Sequence, residues 1–262
     1  MMSKIIFSDI DGTLINDELQ VTPKTRDALR RQIIQGNLFV PVSARMPKAI
    51  MTAAEQVTKV CPMIAYNGAL VLDEMGRPLV SKFMSSKVAG EICHVVEKQS
   101  KSVVWNAYSG YVWYAQNDGE LVQHEEAIVQ VKATILPVER IASLQGVHKL
   151  LLMGEAAELD GLQALLKSKY PDLYLVKSAP HLLEIMQQGV SKSSGVKEVA
   201  KEFNVSLADC YAFGDNYNDE DMLEAVGHPY LMGNAPADLK SKFTVTADHN
   251  HDGIAAFLDG ME

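Results

Sequence analysis

The chain lacks long apolar runs, and it contains little cysteine. No stretch reaches 18 consecutive apolar residues, and the N-terminal Met-Met-Ser-Lys leads into a predicted strand without a signal-peptide cleavage pattern. We therefore expect a soluble, cytoplasmic protein without a membrane partner. The three cysteines, Cys61, Cys93 and Cys210, are widely spaced and form no Cys-x-x-Cys motif. This spacing is typical of buried, reduced thiols and argues against a zinc site or a disulfide framework.

Clusters of basic residues are also missing. Lys and Arg together number 24 against 33 Asp and Glu, which gives a net charge of −9, and neither sign forms a long block. Proteins that bind nucleic acid need clustered Lys and Arg against the phosphate backbone, so we expect no nucleic-acid partner. Apolar residues are plentiful, because 47% of the 262 residues are hydrophobic. That is enough to bury the core of one large domain or two smaller ones.

Short apolar segments alternate with helical patterns at both ends of the chain. Thr22-Pro23 is typical of a helix start, with a hydroxyl cap followed by proline at the first helical position. Strands separated by helices form successive βαβ units, which favour a parallel sheet. The sequence therefore predicts an α/β fold with a doubly wound, Rossmann-like parallel sheet. Its main strands are expected at 5–8, 38–42, 62–66 and 209–213.

The middle of the chain has a different pattern. Strand-like segments at 103–106 and 111–114 flank a turn at Ser109-Gly110, which indicates an antiparallel hairpin. Both tryptophans and five of the nine tyrosines lie in this region. Alternating aromatic residues in a hairpin more often pack a sheet face than stack on a sugar ring. We predict an inserted α+β domain at 83–186, within a core domain formed by 1–82 and 187–262.

Polar residues follow the predicted strands of the core at four places. Asp9 and Asp11 follow the first strand, Ser43 the second, and Lys192 and Asp215 later ones. Parallel strands bring their carboxyl ends to one edge of the sheet, where ligands bind in open α/β folds. Carboxylates from two segments suit a hard cation such as Mg²⁺, while a hydroxyl, an ammonium and helix N-termini suit a phosphate. The alternative for the two acids alone is an acidic turn without function.

These segments resemble the motifs of the haloacid dehalogenase-like hydrolases, and within them the Cof-type sugar-phosphate phosphatases with a large inserted cap. The resemblance covers essentially the whole chain, is weakest in the insert, and has the motifs in the family's order. The matching segments are Asp9-x-Asp11-Gly12-Thr13-Leu14, Ser43-Ala44-Arg45, Val190-Ser191-Lys192 and Gly214-Asp215-x-x-Asn218-Asp219.

The resemblance implies a magnesium-dependent phosphatase that hydrolyses small phosphomonoesters, with sugar phosphates as the expected class. Asp9 would be the nucleophile that forms an aspartyl-phosphate, and Asp11 would be the general acid and base. The metal ligands would be Asp9, the carbonyl of Asp11, and Asp215. The inserted domain would act as a cap that selects the substrate and excludes water on closing.

The resemblance also implies a set of phosphate-binding positions. Asp219 would support them by orienting Lys192 or a water molecule on the metal. The phosphate-binding or substrate-binding positions would be Gly12, Ser43, Ala44, Arg45, Lys192 and Asn218.

One motif departs from the family pattern, because Ser43-Ala44-Arg45 stands where Thr-Gly-Arg is usual. Serine can donate the same hydroxyl bond, and alanine still offers its N–H unless the loop requires a positive φ, where a Cβ is costly. We therefore expect activity to be retained. Arg45 could contact the substrate or only the helix that it opens.

The sequence leaves the exact reaction and the oligomeric state open. A phosphomutase on the same scaffold and a non-catalytic regulator that binds a phosphometabolite are alternatives to the phosphatase, and the sequence does not indicate an oligomeric state.

The tract 248–252, Asp-His-Asn-His-Asp, resembles a metal site superficially. Its consecutive residues before a predicted terminal helix favour a polar loop with capping acids.

Overall fold

The computed structural model describes residues 4–258 and 260. The chain divides into two compact units: unit 1 comprises Met1–Val80 with Ser191–Glu262, and unit 2 comprises Ser81–Val190. The first segment of unit 1 contains, in chain order, β1 Ile5–Ser8, α1 Pro23–Ile34, β2 Leu38–Pro41, α2 Pro47–Ala54, β3 Met63–Ala65, β4 Leu70–Leu72 and β5 Pro78–Ser81. The last residue of β5, Ser81, is the first residue of unit 2.

The remaining elements follow in the same order. Unit 2 contains α3 Ser86–Gln99, β6 Val104–Ser109, β7 Val112–Ala115, α4 Glu120–Val129, β8 Thr134–Ile135, β9 Lys149–Met153, α5 Ala156–Lys169, β10 Leu173–Ala179 and β11 Leu182–Gln187. The second segment of unit 1 contains α6 Lys192–Glu202, β12 Cys210–Gly214, α7 Glu220–Ala225, β13 His228–Leu231, β14 Thr244–Val245 and α8 Gly253–Leu258.

Unit 1 is built on a parallel sheet with the strand order β14-β13-β12-β1-β2. This confirms the predicted α/β fold. Strand β1, between β12 and β2, is buried along its whole length and contributes Ile5 and Phe7 to an apolar core with Val40 and Ala212. An isolated parallel β-bridge between Val42, which follows β2, and Ile64 of β3 joins this sheet to the three-stranded sheet β3-β4-β5. Since the strands are parallel, their carboxyl ends share one edge of the sheet.

Helix α1 begins where the sequence predicts. Thr22 caps α1 by accepting a hydrogen bond from the N–H of Thr25, and proline occupies the first turn. Helical spacing continues from Met46 to Lys59 in the sequence, but α2 ends at Ala54. Arg30 donates to the carbonyls of Gln56 and Val57 at 3.1 and 2.8 Å, so these groups are satisfied without a continued helix.

Unit 2 is a six-stranded sheet with the order β10-β11-β9-β6-β7-β8. The predicted hairpin is confirmed as β6 and β7, where Tyr108 lies opposite Trp113. One face of the sheet carries Trp105 and Leu150 into an apolar core with residues of α3 and α5. The sequence interpretation missed both α3 and α4.

The cysteines are all buried and form no disulfide. Burial raises the pKa of the Cys61 thiol to about 12 and that of Cys210 to about 11, which makes both poor nucleophiles at neutral pH. Over residues 4–258 and 260, the helices are too short or too polar to span a bilayer.

Candidate active site

Asp9 lies at the carboxyl end of the inner strand β1. Its backbone N–H donates to the carbonyl of Phe213 at 2.9 Å, which extends the pairing of β1 with β12 by one residue. The Ser8 hydroxyl donates to the Asp9 carbonyl at 2.7 Å. Asp9 is only 6% exposed, so the two neighbouring strands hold its carboxylate in a fixed and largely dry position.

Lys192 reaches Asp9 from the first turn of α6. Ser191 caps this helix and forms a reciprocal capping box with Ser194. The cap also requires Gly68, because a Cβ there would lie 2.2 Å from the carbonyl oxygen of Ser191. The local sequence thus sets the start of α6, and with it the direction of the lysine.

The Lys192 ammonium joins two buried carboxylates. Its Nζ lies 2.6 Å from Oδ1 of Asp9 and 2.5 Å from Oδ1 of Asp219. Burial disfavours the charged ammonium, but the two carboxylates outweigh this effect and raise the pKa of Lys192. The ammonium therefore stays charged at neutral pH and offsets part of the surrounding negative charge.

Asp219 is fully buried and accepts hydrogen bonds on both oxygens. Besides the bond from Lys192 to Oδ1, its Oδ2 accepts from the N–H groups of Asp215 and Asn216 at 2.9 and 3.1 Å. Gly214 makes room for it, since a Cβ there would lie 2.5 Å from the Asp219 Cβ. Asp219 thus holds the loop after β12 and orients the lysine.

Asp215 follows β12 directly, and each of its oxygens accepts one hydrogen bond. The Thr13 hydroxyl donates to Oδ1 at 3.1 Å, and the Asn234 amide donates to Oδ2 at 3.1 Å. Burial, followed by the negative charge of Asp219, raises the pKa of Asp215 to about 6. The sequence interpretation included Thr13 in the first motif without a role and overlooked Asn234, although Asn234 follows a strand end in the same way as the residues that it did select.

The carboxylates of Asp9, Asp215 and Asp219 are close enough to share a cation. One oxygen from each lies within 4.8 Å of the others, and oxygen donors of this kind fit Mg²⁺. Burial is the main cause that raises the pKa of Asp9 well above its usual range, and the neighbouring carboxylates add to this despite Lys192. A cation beside Asp9 and Asp215 would relieve the repulsion between their negatively charged carboxylates. Asp219 fits the support role better, because its Oδ1 binds the Lys192 ammonium and its Oδ2 accepts from two N–H groups, whereas each oxygen of Asp215 accepts one hydrogen bond from a neutral donor.

Asp11 is held apart from this cluster by Arg45. Nε and Nη2 of the guanidinium lie 2.8 and 2.5 Å from the two carboxylate oxygens, so the pair is bidentate. The Asp11 side chain is 54% exposed. The ion pair with Asp11 was not among the two roles considered for Arg45 from the sequence.

The other predicted phosphate-binding residues lie around the same strand ends. Ser43 is buried, and its hydroxyl accepts from the N–H of Arg45 at 3.1 Å. Ala44 has no positive φ, so the departure from the family's glycine costs no backbone strain. Gly12 does have a φ of +74°, and a Cβ there would lie 2.5 Å from Oδ2 of Asp215. Asn218 is exposed on the short turn that leads to Asp219.

The tract 248–252 forms a polar loop with a capping acid, as predicted. Asp248 caps a single 3-10 turn by accepting from the N–H of Asn250 at 2.9 Å, and it also contacts Nδ1 of His251. His249 binds the carboxylate of Asp17 through Nε2 at 2.9 Å. The tract is therefore joined to the segment that follows Asp11.

Comparisons with known proteins agree with this arrangement. The family model described as haloacid dehalogenase-like hydrolase matches residues 6–258. A Haemophilus influenzae relative whose name includes the word phosphatase is 34% identical, over 99% of this chain and 98% of its own. The 5-amino-6-(5-phospho-D-ribitylamino)uracil phosphatase YwtE of Bacillus subtilis is 28% identical, with 98% of each chain covered.

A solved structure shows the same fold over nearly the whole chain. The Thermotoga maritima protein TM0651 superposes with a TM-score of 0.89 at 28% identity, covering 98% of this chain and 97% of its own. The chain therefore belongs to the haloacid dehalogenase-like hydrolase family, and within it to the Cof-type phosphatases.

Proposed function

We propose that the chain is a magnesium-dependent phosphatase that hydrolyses small phosphomonoesters, sugar phosphates among them, through an aspartyl-phosphate on Asp9. The observation that carries this proposal is the buried triad of Asp9, Lys192 and Asp219 beside Asp215. A carboxylate held dry and oriented by a lysine is a suitable nucleophile toward phosphorus. A binding protein would not need a second acid, Asp11, two residues after Asp9 in the sequence.

In the first step, a carboxylate oxygen of Asp9 attacks the phosphorus of the ester. The bond between phosphorus and the leaving oxygen breaks, and the proton of the Asp11 carboxyl passes to that oxygen, which leaves as an alcohol. Asp11 must separate from Arg45 to do this, because the guanidinium contacts both of its oxygens. The phosphate anion offers Arg45 an alternative partner.

In the second step, water attacks the phosphorus of the aspartyl-phosphate. The Asp11 carboxylate takes the proton from the water, inorganic phosphate leaves, and the Asp9 carboxylate is restored. Lys192 and the Ser43 hydroxyl would bind phosphoryl oxygens, with the N–H groups of Gly12 and Ala44 and the amide of Asn218 as further donors.

Magnesium would be held by Asp9, the carbonyl of Asp11 and Asp215. It would neutralise charge on the phosphoryl group and its surroundings. The donor chemistry supports this assignment, since carboxylate and carbonyl oxygens are the ligands that Mg²⁺ prefers.

Unit 2 would select the substrate. The face of its sheet opposite the apolar core carries a buried ion pair between Lys149 and Glu184, at 3.3 Å, and the Lys149 ammonium lies 5.1 Å from the ring centre of Tyr108. Such residues suit a hydroxylated leaving group. The relative YwtE acts, by its name, on a phosphate ester of a ribityl chain, which supports sugar and polyol phosphates as the class to test.

Phosphate release from p-nitrophenyl phosphate with Mg²⁺ tests the proposed reaction, and a panel of sugar, polyol and nucleotide phosphates tests the class. Asp9→Asn should abolish turnover without unfolding the protein, whereas Asp27→Asn, on the exposed side of α1, is the matched control. Full activity in Asp9→Asn would refute the nucleophile. Transfer of phosphate to a second hydroxyl, with little inorganic phosphate, would indicate a mutase instead.

A further inference from the structure

Asn234 joins the two loops that carry the proposed metal ligands. Its Nδ2 donates to the carbonyl of Gly12 at 2.9 Å and to Oδ2 of Asp215 at 3.1 Å. Gly12 follows Asp11 directly, and Asp215 follows β12. One amide group therefore fixes the spacing between the loop after β1 and the loop after β12, on the solvent side of the buried carboxylates.

The orientation of this amide is itself fixed. Asn234 lies in the turn after β13, where the N–H of Ala235 donates to Met232 at 3.0 Å and the N–H of Gly233 donates to Ala247 at 3.2 Å. On its other side, Oδ1 of Asn234 accepts from the N–H of His249 at 3.4 Å. With Oδ1 toward His249, the N–H groups of the amide face Gly12 and Asp215.

The loop behind Asn234 is anchored to the chain beyond Asp11. Nε2 of His249 contacts Oδ1 of Asp17 at 2.9 Å, and Nδ2 of Asn250 donates to Oδ2 of Asp17 at 2.9 Å. The N–H of Asp17 in turn donates to Oδ1 of Asn250 at 3.1 Å. The polar tract 248–252 thus supports the side of Asn234 that faces away from the carboxylates.

We propose that Asn234 is a positioning residue for the metal site: it orients the Asp215 carboxylate toward the cation, and the loop with His249 and Asp17 supports it. Thr13 holds Oδ1 of Asp215 and Asn234 holds Oδ2, so the plane of this carboxylate is defined from both sides. Hydrogen bonds of this kind to a ligating carboxylate reduce the reorganisation needed to bind a metal. The inference rests on the proposed function, because it assumes that Asp215 binds Mg²⁺.

The test is the affinity for Mn²⁺, which replaces Mg²⁺ at oxygen sites and whose free form is counted by electron paramagnetic resonance. Asn234→Ala should weaken Mn²⁺ binding by about tenfold. The matched control is Asn37→Ala, which removes an amide that accepts from the N–H of Lys4 and donates to Gln32. Asn37 directly precedes β2, at the end of the strand opposite to the proposed metal site. Asn37→Ala should leave the Mn²⁺ affinity unchanged.

Two further variants distinguish a role of Asn234 in positioning Asp215 from a role in folding. Asn234→Gln keeps the amide one methylene farther out, and it should recover part of the affinity that Asn234→Ala loses. It also carries the test if the alanine variant does not fold. His249→Ala should weaken Mn²⁺ binding by a smaller factor, because it removes one contact with Asp17 and leaves those of Asn250 in place. Equal Mn²⁺ affinity in the wild type, Asn234→Ala and Asn234→Gln overturns the inference. A wild-type protein that binds no Mn²⁺ overturns the proposed metal site itself, which is a distinct result.

Discussion

Each of the two units contains a lysine that is almost completely buried, and the two differ in what surrounds them. Lys192 of unit 1 is 1% exposed and contacts two carboxylates at a sheet edge. Lys149 of unit 2 is 5% exposed and contacts the carboxylate of Glu184 on a sheet face. A buried ammonium needs partners in both places. Unit 1 has a surplus of negative charge around its lysine, which suits a bound cation, whereas the ion pair of unit 2 joins one positive and one negative group.

The largest difference between the two lysines should appear on their removal. Lys192→Met leaves Asp9 and Asp219 facing each other without a cation, so we expect turnover of p-nitrophenyl phosphate to fall on the order of 10³-fold. The free energy of unfolding should fall by roughly 3 kcal/mol, since one partner of a buried ion pair is lost. Initial rates and urea unfolding measure the two effects. If Lys192→Met loses stability but keeps its activity, Lys192 has only a structural role, as Lys149 would.

Arg45 offers a second comparison within unit 1, between a functional and a surface ion pair. Arg45→Lys cannot form the bidentate contact that Arg45 exchanges from Asp11 to the phosphate, so Asp11 is presented less well to the leaving oxygen. We expect kcat/KM for an alkyl phosphate to fall about tenfold more than for p-nitrophenyl phosphate. The alkoxide needs a proton from Asp11, whereas nitrophenolate does not. Arg77→Lys is the control, because Arg77 pairs with Asp73 at 2.7 Å on the surface. An equal loss on both substrates would show that Arg45 does not act on Asp11.

The ion pair of unit 2 can be separated into a structural and a selective part. Lys149→Met alone should destabilise the protein by about 3 kcal/mol, and adding Glu184→Met should recover part of that loss, because no unpaired charge remains. If the pair selects the substrate, the double variant should still show an altered order of preference among sugar and polyol phosphates, by a few fold in kcat/KM. An unchanged order would assign the pair to folding alone.

A smaller effect in unit 2 depends on pH. Nδ1 of His148 accepts from the N–H of Gly110 at 3.1 Å, and Nε2 contacts the Ser81 hydroxyl at 3.0 Å, so the ring is held neutral. Burial lowers the pKa of His148 from 6.5 to about 4. As the pH falls from 6.5 to 4, the unfolded chain takes up the proton first, and stability present above 6.5 is lost, on the order of 2–3 kcal/mol. His148→Gln should flatten this part of the stability profile, whereas His94→Gln, on the exposed side of α3, should not. Identical profiles for both variants would contradict this assignment.

The sequence was most informative where polar residues follow the ends of buried strands. Asp9, Ser43 and Asp215 were recognisable because each follows an apolar strand of a parallel sheet, and the structure has them at that edge. The bidentate contact of Arg45 with Asp11 was not predictable, because it depends on how two loops approach each other. Asn234 could have been selected by the rule already applied to the other strand ends.

Unit 2 was predicted less completely. Helix α3 was missed although Ser85 caps it and Ala89, Ile92 and Val96 recur at helical spacing. Helix α4 gives a weaker signal, because no side chain caps its start and it ends at Gln130 in a left-handed conformation. The pairing of Lys149 with Glu184 depends on the register of β9 against β11, which the composition of either strand does not specify.

The central claim is that phosphate is transferred to Asp9. Asp11→Asn removes the base of the second step, while nitrophenolate needs no acid in the first, so p-nitrophenyl phosphate should phosphorylate this variant faster than water releases the phosphate. Rapid acid quenching and peptide mapping should then find close to one phosphate per chain on the peptide that contains Asp9, with a matching burst of nitrophenolate. A chain that carries no phosphate during turnover, or carries it at another residue, would contradict the account.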